Sequence, residues 1–205
     1  MKLKGDFVAG ILGVGVLVIG LFRGVPYLYK ILISQLEPQN TTNIIGDYSN
    51  LENLLTQKKW KEADRETFNI MLKVSNRKRE NGLDTESIKK FSCLHLRMID
   101  LLWQKHSDDK LGFSVQSEIY YSLAGTKEYD DELWKNFGDK VGWREGGKWL
   151  SYSDSRLFNI SQPEQGRFPV TRYWQGKFYV NDIFLRAETC KVKHISFSVV
   201  NRKKF

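Results

Sequence analysis

From residue 92 the chain reads Ser-Cys-Leu-His-Leu-Arg-Met-Ile-Asp-Leu-Leu-Trp (92–103), and from residue 106 it reads His-Ser-Asp-Asp-Lys-Leu-Gly-Phe-Ser-Val-Gln (106–116). The first run repeats apolar residues at helical spacing, which predicts a helix over 92–106. The second run turns at its glycine and continues into another helix, for which Ser114 is the predicted N-cap. One face of this second helix carries Val115, Ile119 and Leu123.

Residues 137–152 read Phe-Gly-Asp-Lys-Val-Gly-Trp-Arg-Glu-Gly-Gly-Lys-Trp-Leu-Ser-Tyr, so that glycines and large aromatic residues alternate. Neither a helical nor a strand period explains this alternation. Glycine permits tight turns that other residues resist. We therefore predict tightly folded loops here, held in place by the rings of Trp134, Trp143 and Trp149.

The order of these motifs carries a resemblance to a known family. The matching residues are Ile99-Asp100-x-Leu102-Trp103, Gly112-Phe113-Ser114-Val115-Gln116 and Val141-Gly142-Trp143-Arg144 with Trp149; upstream, Trp60-Lys61-Glu62-Ala63-Asp64 fits as well. This spacing resembles the Genomes-Uncoupled Four domain, whose members bind tetrapyrroles and stimulate magnesium chelatase in chlorophyll synthesis. The resemblance covers about residues 48–169.

The resemblance implies a mainly α fold: a compact, cupped, multi-helix domain with long C-terminal loops. Its concave apolar surface would hold a porphyrin, a Mg-porphyrin or a chlorophyll-type tetrapyrrole without a covalent bond. On the matching positions, the floor would be Phe113, Val115 and Ile119, and the rim Trp143 and Trp149. The loop 166–174 would fold over the ligand with Phe168 and Trp174, and the ligand's propionates would pair with Arg167 or Arg172. Arg144 is expected to be structural.

The N-terminal part carries an uninterrupted apolar run from Phe7 to Phe22, between Lys4 and Arg23. As a helix the run is about 24 Å long, and apolar residues beyond Arg23 extend it toward the roughly 30 Å of a hydrocarbon core. A signal peptide would also suit the basic start, but no small-x-small cleavage site follows. We therefore predict a single transmembrane helix that is retained as an anchor. The predicted divisions are the anchor 1–33, a polar linker 34–46, the helical domain 47–190 and a basic tail 191–205.

Further helices are predicted from periodicity over 48–55, 60–72, 128–137 and 181–190. On the second of these, Asp64 and Glu66 are expected to be surface acids. The tail from His194 to Val199 alternates apolar and polar residues, as an isolated strand or an extended peptide does. The two cysteines, Cys93 and Cys190, lack any metal-site or disulfide-framework spacing, so we expect buried thiols in a reducing compartment.

Positive charge is concentrated at the C-terminal end. Residues 156–205 hold 10 Lys and Arg against 3 acids, which accounts for +7 of the net +8. Basic groups among aromatic rings could bind single-stranded nucleic acid, anionic lipid headgroups or the carboxylates of a porphyrin, or could simply form a solvated surface.

The sequence offers no nucleophile motif, phosphate-binding glycine loop or metal-ligand cluster. His95 and His106 would lie about 16 Å apart on one helix, too far to share a metal ion. We therefore predict a non-enzymatic protein with no metal site.

The leading hypothesis is a membrane-anchored, tetrapyrrole-binding regulator of chlorophyll biosynthesis whose partner is a magnesium chelatase subunit. The alternative is a structural or assembly subunit of a photosynthetic membrane complex, which the anchor and the aromatic, basic tail favour. Both hypotheses place the chain in a plastid or cyanobacterial thylakoid membrane, held by Phe7 to Phe22, with the domain on the stromal or cytoplasmic side. Neither involves nucleic acid.

Overall fold

The computed structural model describes residues 48–79, 82–126, 128, 130–170 and 179–194. Their helices are α1 (48–56), α2 (Trp60–Val74), α3 (Thr85–Lys89), α4 (Cys93–Lys105), α5 (Phe113–Ser122), α6 (Asp131–Lys140), α7 (Ser155–Phe158) and α8 (Tyr179–Thr189). One small sheet pairs β1 (Arg144–Glu145) with β2 (Lys148–Trp149). The prediction of a mainly helical domain is confirmed for this part of the chain.

Aspartates begin three of the shorter helices. Asp84 accepts a hydrogen bond from the backbone N–H of Ser87 at 2.8 Å, and the Ser87 hydroxyl completes a capping box at the start of α3. Asp130 accepts from the N–H of Leu133 at the start of α6, and Asp154 caps α7. Each side chain satisfies a backbone donor that the first helical turn leaves unpaired.

The strands β1 and β2 form an antiparallel hairpin in which Arg144 pairs with Trp149. Its two-residue turn is Gly146-Gly147, with φ of 55° and 77°. Positive φ at both central residues is the geometry that a tight hairpin requires and that glycine adopts without strain. The tight folding predicted for this stretch takes the form of a hairpin. Its two strands were not predicted, because strands of two residues leave no alternating pattern to read.

A cluster of aromatic rings forms one half of the core. The Phe168 ring lies 5.8 Å from that of Trp60, 5.9 Å from Trp103 and 5.6 Å from Phe158, measured between centroids. All four residues are at most 8% exposed. The indole N–H of Trp103 donates to the Thr67 hydroxyl at 2.9 Å, so that its polar atom is satisfied inside the core.

The other half of the core surrounds α8, which packs on α3, α4 and α5. Phe184 contributes a fully buried ring 5.3 Å from Tyr120 and 5.6 Å from Phe137. At the edges, Arg186 donates from Nε to the carbonyl of Phe91 at 2.8 Å. Because α8 contacts three other helices, it packs them together and completes this half of the core.

Two local predictions are corrected. Asp64 is fully buried rather than exposed, and it accepts a hydrogen bond from the Tyr152 hydroxyl at 3.0 Å across 88 residues. Helical spacing does not reveal a partner so distant in the sequence, and Asp64 was therefore predicted to be a surface acid. Ser114 lies inside α5 rather than capping it, because the residue that precedes the helix is Gly112.

The cysteines are also corrected. Cys93 and Cys190 form a disulfide across 97 residues, and they are not free thiols. The bond joins the first residue of α4 to the residue that follows α8. Only the packing of α8 on α4 brings the two sulfurs together, so their sequence spacing gave no sign of it.

The predicted transmembrane helix and the single-pass membrane localisation are corrected as well. Among the described residues, no helix is both long enough and apolar enough to cross a bilayer. The segment from Phe7 to Phe22, with the rest of 1–47, lies outside those residues, as does the tail beyond His194.

Candidate functional site

Helix α5 turns the predicted floor residues inward. Phe113 and Val115 are fully buried, and Ile119 is 9% exposed. Gly112 immediately precedes the helix; its φ is 133°, and a Cβ atom there would lie only 2.6 Å from Oδ1 of Asp100. The helix therefore starts against α4 at a distance that only glycine permits.

Asp100, on α4, fixes the start of α5 by hydrogen bonding. Its Oδ1 accepts from the N–H of Ser114 at 2.9 Å, and its Oδ2 accepts from Nε2 of Gln104 at 2.6 Å. Burial raises the pKa of Asp100 to about 6, and the hydrogen bonds from Ser114 and Gln104 oppose that rise. The carboxylate is thus a buried link between α4 and α5.

The segment 164–170, called the anchored loop below, lies against α5. The Nε2 group of Gln116 donates to the carbonyls of Gly166 and Pro169 at 2.8 and 2.9 Å. The N–H of Gly112 donates to the carbonyl of Phe168 at 2.9 Å. These bonds fix the backbone of the loop as far as Pro169.

Arg167, which the sequence analysis assigned to propionate pairing, is 4% exposed. Its Nε donates to the carbonyl of Leu157 at 3.1 Å, its Nη2 donates to that of Arg156 at 2.9 Å, and its Nη1 pairs with Glu164. Its own carbonyl accepts from the indole of Trp143 at 2.6 Å. The guanidinium is therefore engaged within the protein.

The structure brings most of the predicted site residues together in the interior: Phe113, Val115, Ile119, Trp143, Arg167 and Phe168 are each at most 9% exposed. Trp149 lies apart on the hairpin, 43% exposed, with its ring 5.5 Å from Trp134 and the Arg144 guanidinium 5.4 Å from its centroid. Arg144 also pairs with Asp139 at 2.6 Å. The remaining two, Arg172 and Trp174, lie outside the described residues.

The outward face of α5 borders an open groove of about 660 Å³, whose other wall is the segment 188–194. We call this the α5 groove; it is lined by Ser114, Ser117, Glu118, Tyr121, Ser122, Glu188, Val192, Lys193 and His194. Sequence reasoning missed it because the hydroxyl-rich stripe of α5 reads as an ordinary solvent face. Tyr121, four residues from Ser117 on that stripe, is the one residue that could have drawn attention to it.

Two polar contacts cross the α5 groove. The Tyr121 hydroxyl lies 3.4 Å from Glu188, and burial with the Glu188 charge raises the pKa of Tyr121 to about 12. Nδ1 of His194 lies 3.1 Å from Oε2 of Glu118. The other ring nitrogen, Nε2, is buried and has no hydrogen-bond partner among the described residues. A polar ligand atom could satisfy that nitrogen.

Comparison with known proteins decides the family. The family model described as GUN4-like matches residues 41–187, most of the chain. The chain belongs to the GUN4-like family. This confirms the resemblance to the Genomes-Uncoupled Four domain that the motifs around Gly112 and Trp143 indicated.

Relatives in the family differ in how far they match. An uncharacterized protein ycf53 of Porphyra purpurea is 30% identical over 140 residues, which are 67% of this chain and 56% of that protein. A Ycf53-like protein of Synechocystis sp. is 30% identical over 132 residues, 63% and 53% of the two chains. The tetrapyrrole-binding protein, chloroplastic, of Arabidopsis thaliana is 35% identical over 75 residues, 36% and 28% of the two. The chain spans about half the length of the first two.

Solved structures agree on the fold. The ligand-free structure of Arabidopsis thaliana GUN4 is similar with a TM-score of 0.55 at 25% identity, covering 67% of this chain and 91% of that one. A structure of GUN4 from Chlamydomonas reinhardtii has a TM-score of 0.52 at 21% identity, covering 68% and 85%, and supports the fold alone.

Proposed function

We propose that the chain is a non-catalytic regulatory protein that binds a tetrapyrrole. The observation that carries this proposal is the family match over residues 41–187. Two similarities support it: one Arabidopsis relative is named a tetrapyrrole-binding protein, and the similar Arabidopsis GUN4 structure is titled as ligand-free. In its finer form, which follows from the resemblance, the ligand is a porphyrin or Mg-porphyrin and the partner is magnesium chelatase.

For the binding site we propose the α5 groove. Its volume of about 660 Å³ falls in the range of small-molecule pockets, which is about 300–1,000 Å³. Behind it, Phe113 and Val115 are fully buried, so they would support the site rather than touch the ligand. The unsatisfied Nε2 of His194 is the atom that most directly fits a polar ligand.

The lining residues would contact a bound tetrapyrrole in two different ways. Tyr121 and Val192 offer the apolar contact that the flat ring needs, while Lys193 and His194 are the groups that could pair with its carboxylates. Glu118 and Glu188 would repel the same carboxylates, so we expect the propionates to lie toward Lys193. A bound tetrapyrrole supplies the coloured, metal-chelating ring; the protein's residues bind and orient it.

The test is a titration of the full-length protein with deuteroporphyrin and with its magnesium form, followed by quenching of tryptophan fluorescence. The variant Tyr121→Ala with Lys193→Glu removes apolar contact and reverses the charge in the α5 groove. We expect saturable binding by the wild type, weakened about tenfold or more in the double variant, which corresponds to about 1.4 kcal/mol. The matched control is Lys140→Glu, because that exposed lysine ends α6 and does not line the groove.

Other outcomes redirect the proposal. Saturable binding that the groove variant leaves unchanged would keep the function and move the site elsewhere, and Arg172→Ala and Trp174→Ala would then test the roles that the resemblance implies. Absence of binding by the wild type would overturn the proposed function. It would favour a structural role, without a tetrapyrrole, for a fold that this chain shares with the GUN4 structures.

A further inference from the structure

The disulfide lies at the foot of one wall of the α5 groove. Cys190 directly follows α8, and the next residues, Val192, Lys193 and His194, line the groove. The partner Cys93 is the first residue of α4, the helix that supports the start of α5 through Asp100. The covalent bond therefore joins residues 190–194 of that wall, called the groove wall below, to the first residue of α4.

Among the described residues, the turn after α8 holds the start of that wall, with the N–H groups of Cys190 and Lys191 donating to the carbonyls of Arg186 and Glu188. The chain reverses at Lys191, where φ is 52°, and the N–H of Val192 donates to the carbonyl of Ala187 at 2.9 Å. Beyond that turn, the carbonyl of Lys193 accepts from Nε2 of Gln104 at 3.3 Å, and His194 meets Glu118 at 3.1 Å near the solvent. The first bond is longer than the usual range of about 2.7–3.2 Å for an N–H···O bond, and the second lies within that range.

At Cys190 itself the backbone carbonyl accepts from Arg97, with Nε at 2.9 Å. This bond would survive reduction of the disulfide, so α8 would keep one polar tie to α4. The expected change is therefore local: the wall beyond Cys190 loosens while the domain stays folded.

The two sulfurs differ in how a reductant could reach them. Cys190 is 1% exposed, whereas Cys93 is only half-buried. Cys93 also lies in the first turn of α4, where unpaired N–H groups favour a thiolate. Cys93 is thus the more exposed of the two residues, and its thiolate is a good leaving group when a mixed disulfide on it is resolved.

We propose that the Cys93–Cys190 disulfide is a reducible latch, and that a dithiol releases the groove wall at 190–194 by opening it. A thiolate of the dithiol attacks Sγ of Cys93, the S–S bond breaks, and the electron pair leaves on Sγ of Cys190, which takes a proton from water. The second thiolate of the dithiol then attacks the mixed disulfide and expels Cys93 as a thiolate. Two electrons pass to the protein and the dithiol becomes a disulfide.

The consequence for binding rests on the function proposed above. A groove whose wall is ordered in advance loses less conformational freedom when a ligand binds. Reduction should therefore weaken tetrapyrrole binding by making Lys193 and His194 more mobile. Oxidising conditions would favour the ligand-bound form, and a dithiol would favour release.

The experiment compares hydrogen exchange of the oxidised full-length protein with that of the protein reduced by dithiothreitol. We expect exchange at the amides of 190–194 to become about tenfold or more faster on reduction, while exchange in the anchored loop at 166–168 stays unchanged. The double variant Cys93→Ser with Cys190→Ser should match the reduced protein, and dithiothreitol should not alter it further. In the same samples, the dissociation constant for magnesium deuteroporphyrin should rise several-fold on reduction.

Each alternative outcome has one meaning. Equal exchange at 190–194 in both redox states would overturn the latch, and so would faster exchange in both segments, because the disulfide would then hold the whole fold. Faster exchange at 190–194 with equal porphyrin affinity would overturn the regulatory role. Faster exchange there with no porphyrin binding in either state would support the latch and overturn only the proposed function.

Discussion

The anchored loop at 164–170 and the groove wall at 190–194 both lie against α5, but they are held in different ways. In the anchored loop, the side chain of Phe168 enters the aromatic core and the Arg167 guanidinium bonds backbone carbonyls of neighbouring residues. The groove wall carries Lys191 and Lys193 as exposed side chains, and within the part of the chain that the structure describes it is held by the disulfide, the turn after α8 and bonds to Gln104 and Glu118.

The difference teaches where rigidity and adaptability lie in this domain. Buried, fully paired groups resist movement because each lost contact exposes an unsatisfied polar atom or leaves a cavity. Exposed groups with few partners open at low cost in free energy. We therefore expect the anchored loop to set the stability of the fold and the groove wall to set its response to ligands and reductants.

The largest effect should come from Phe168→Ala. The substitution removes a fully buried ring that contacts Trp60, Trp103 and Phe158, so the free energy of unfolding should fall by about 3–5 kcal/mol. Urea denaturation followed by tryptophan fluorescence measures the loss. The comparison is with Tyr121→Ala in the α5 groove, which also removes an aromatic ring. Because Tyr121 is only partly buried, its loss should lower the free energy of unfolding by well under about 1 kcal/mol. Equal losses would remove the distinction between the two regions.

A somewhat smaller effect is expected for Arg167→Met. Methionine keeps most of the packing but leaves the carbonyls of Leu157 and Arg156 without their donors, which should cost about 2–4 kcal/mol. The matched change Lys193→Met, on an exposed lysine, should be nearly neutral in the same denaturation assay. A neutral Arg167→Met would contradict the expectation that these interior hydrogen bonds stabilise the fold.

Asp100 makes a prediction about pH. Its pKa is about 6 in the folded chain against an ordinary 3.8, so the folded state binds the proton more tightly than the unfolded state. The free energy of unfolding should therefore decrease as pH rises from about 4 through 6, and Asp100→Asn should flatten that slope. Glu52 acts in the opposite sense. Hydrogen bonds with His106 and Lys105 lower its pKa to about 2 from an ordinary 4.5, so its contribution to stability is lost only as pH falls below about 4.5. Denaturation curves between pH 4.5 and 7 separate the two, and a wild-type curve that rises over that window would contradict this account of Asp100.

The helices were predictable because they follow local rules. The predicted helix over 92–106 is observed as Cys93–Lys105, and the one over 128–137 as Asp131–Lys140, shifted toward its Asp130 cap. The start of the last helix was also placed within two residues, at Tyr179. Apolar spacing decides such segments because each must bury one face.

What could not be predicted depends on contacts between distant residues. The Asp64–Tyr152 hydrogen bond spans 88 residues and the disulfide spans 97. The resemblance assigned Phe113, Val115 and Ile119 to a ligand floor, and their helical spacing alone suits a packed core equally well; their burial depends on the packing of the anchored loop, which helical spacing does not show. The α5 groove arises only when the segment 188–194 returns to the hydroxyl-rich face of that helix.

A small effect on stability is expected for Trp149→Ala, and this substitution best separates two accounts of the site. The Trp149 ring is 43% exposed and stacks on Trp134, so its loss should cost only about 1 kcal/mol of unfolding free energy. The resemblance assigned Trp149 to the rim of the porphyrin site, whereas the α5 groove does not include it. If the tetrapyrrole binds in the groove, Trp149→Ala should leave the dissociation constant for deuteroporphyrin unchanged while Tyr121→Ala raises it. The reverse pattern would place the site at the hairpin. Removing a ring that contributes so little to stability would weaken binding only if the ligand contacts the indole directly.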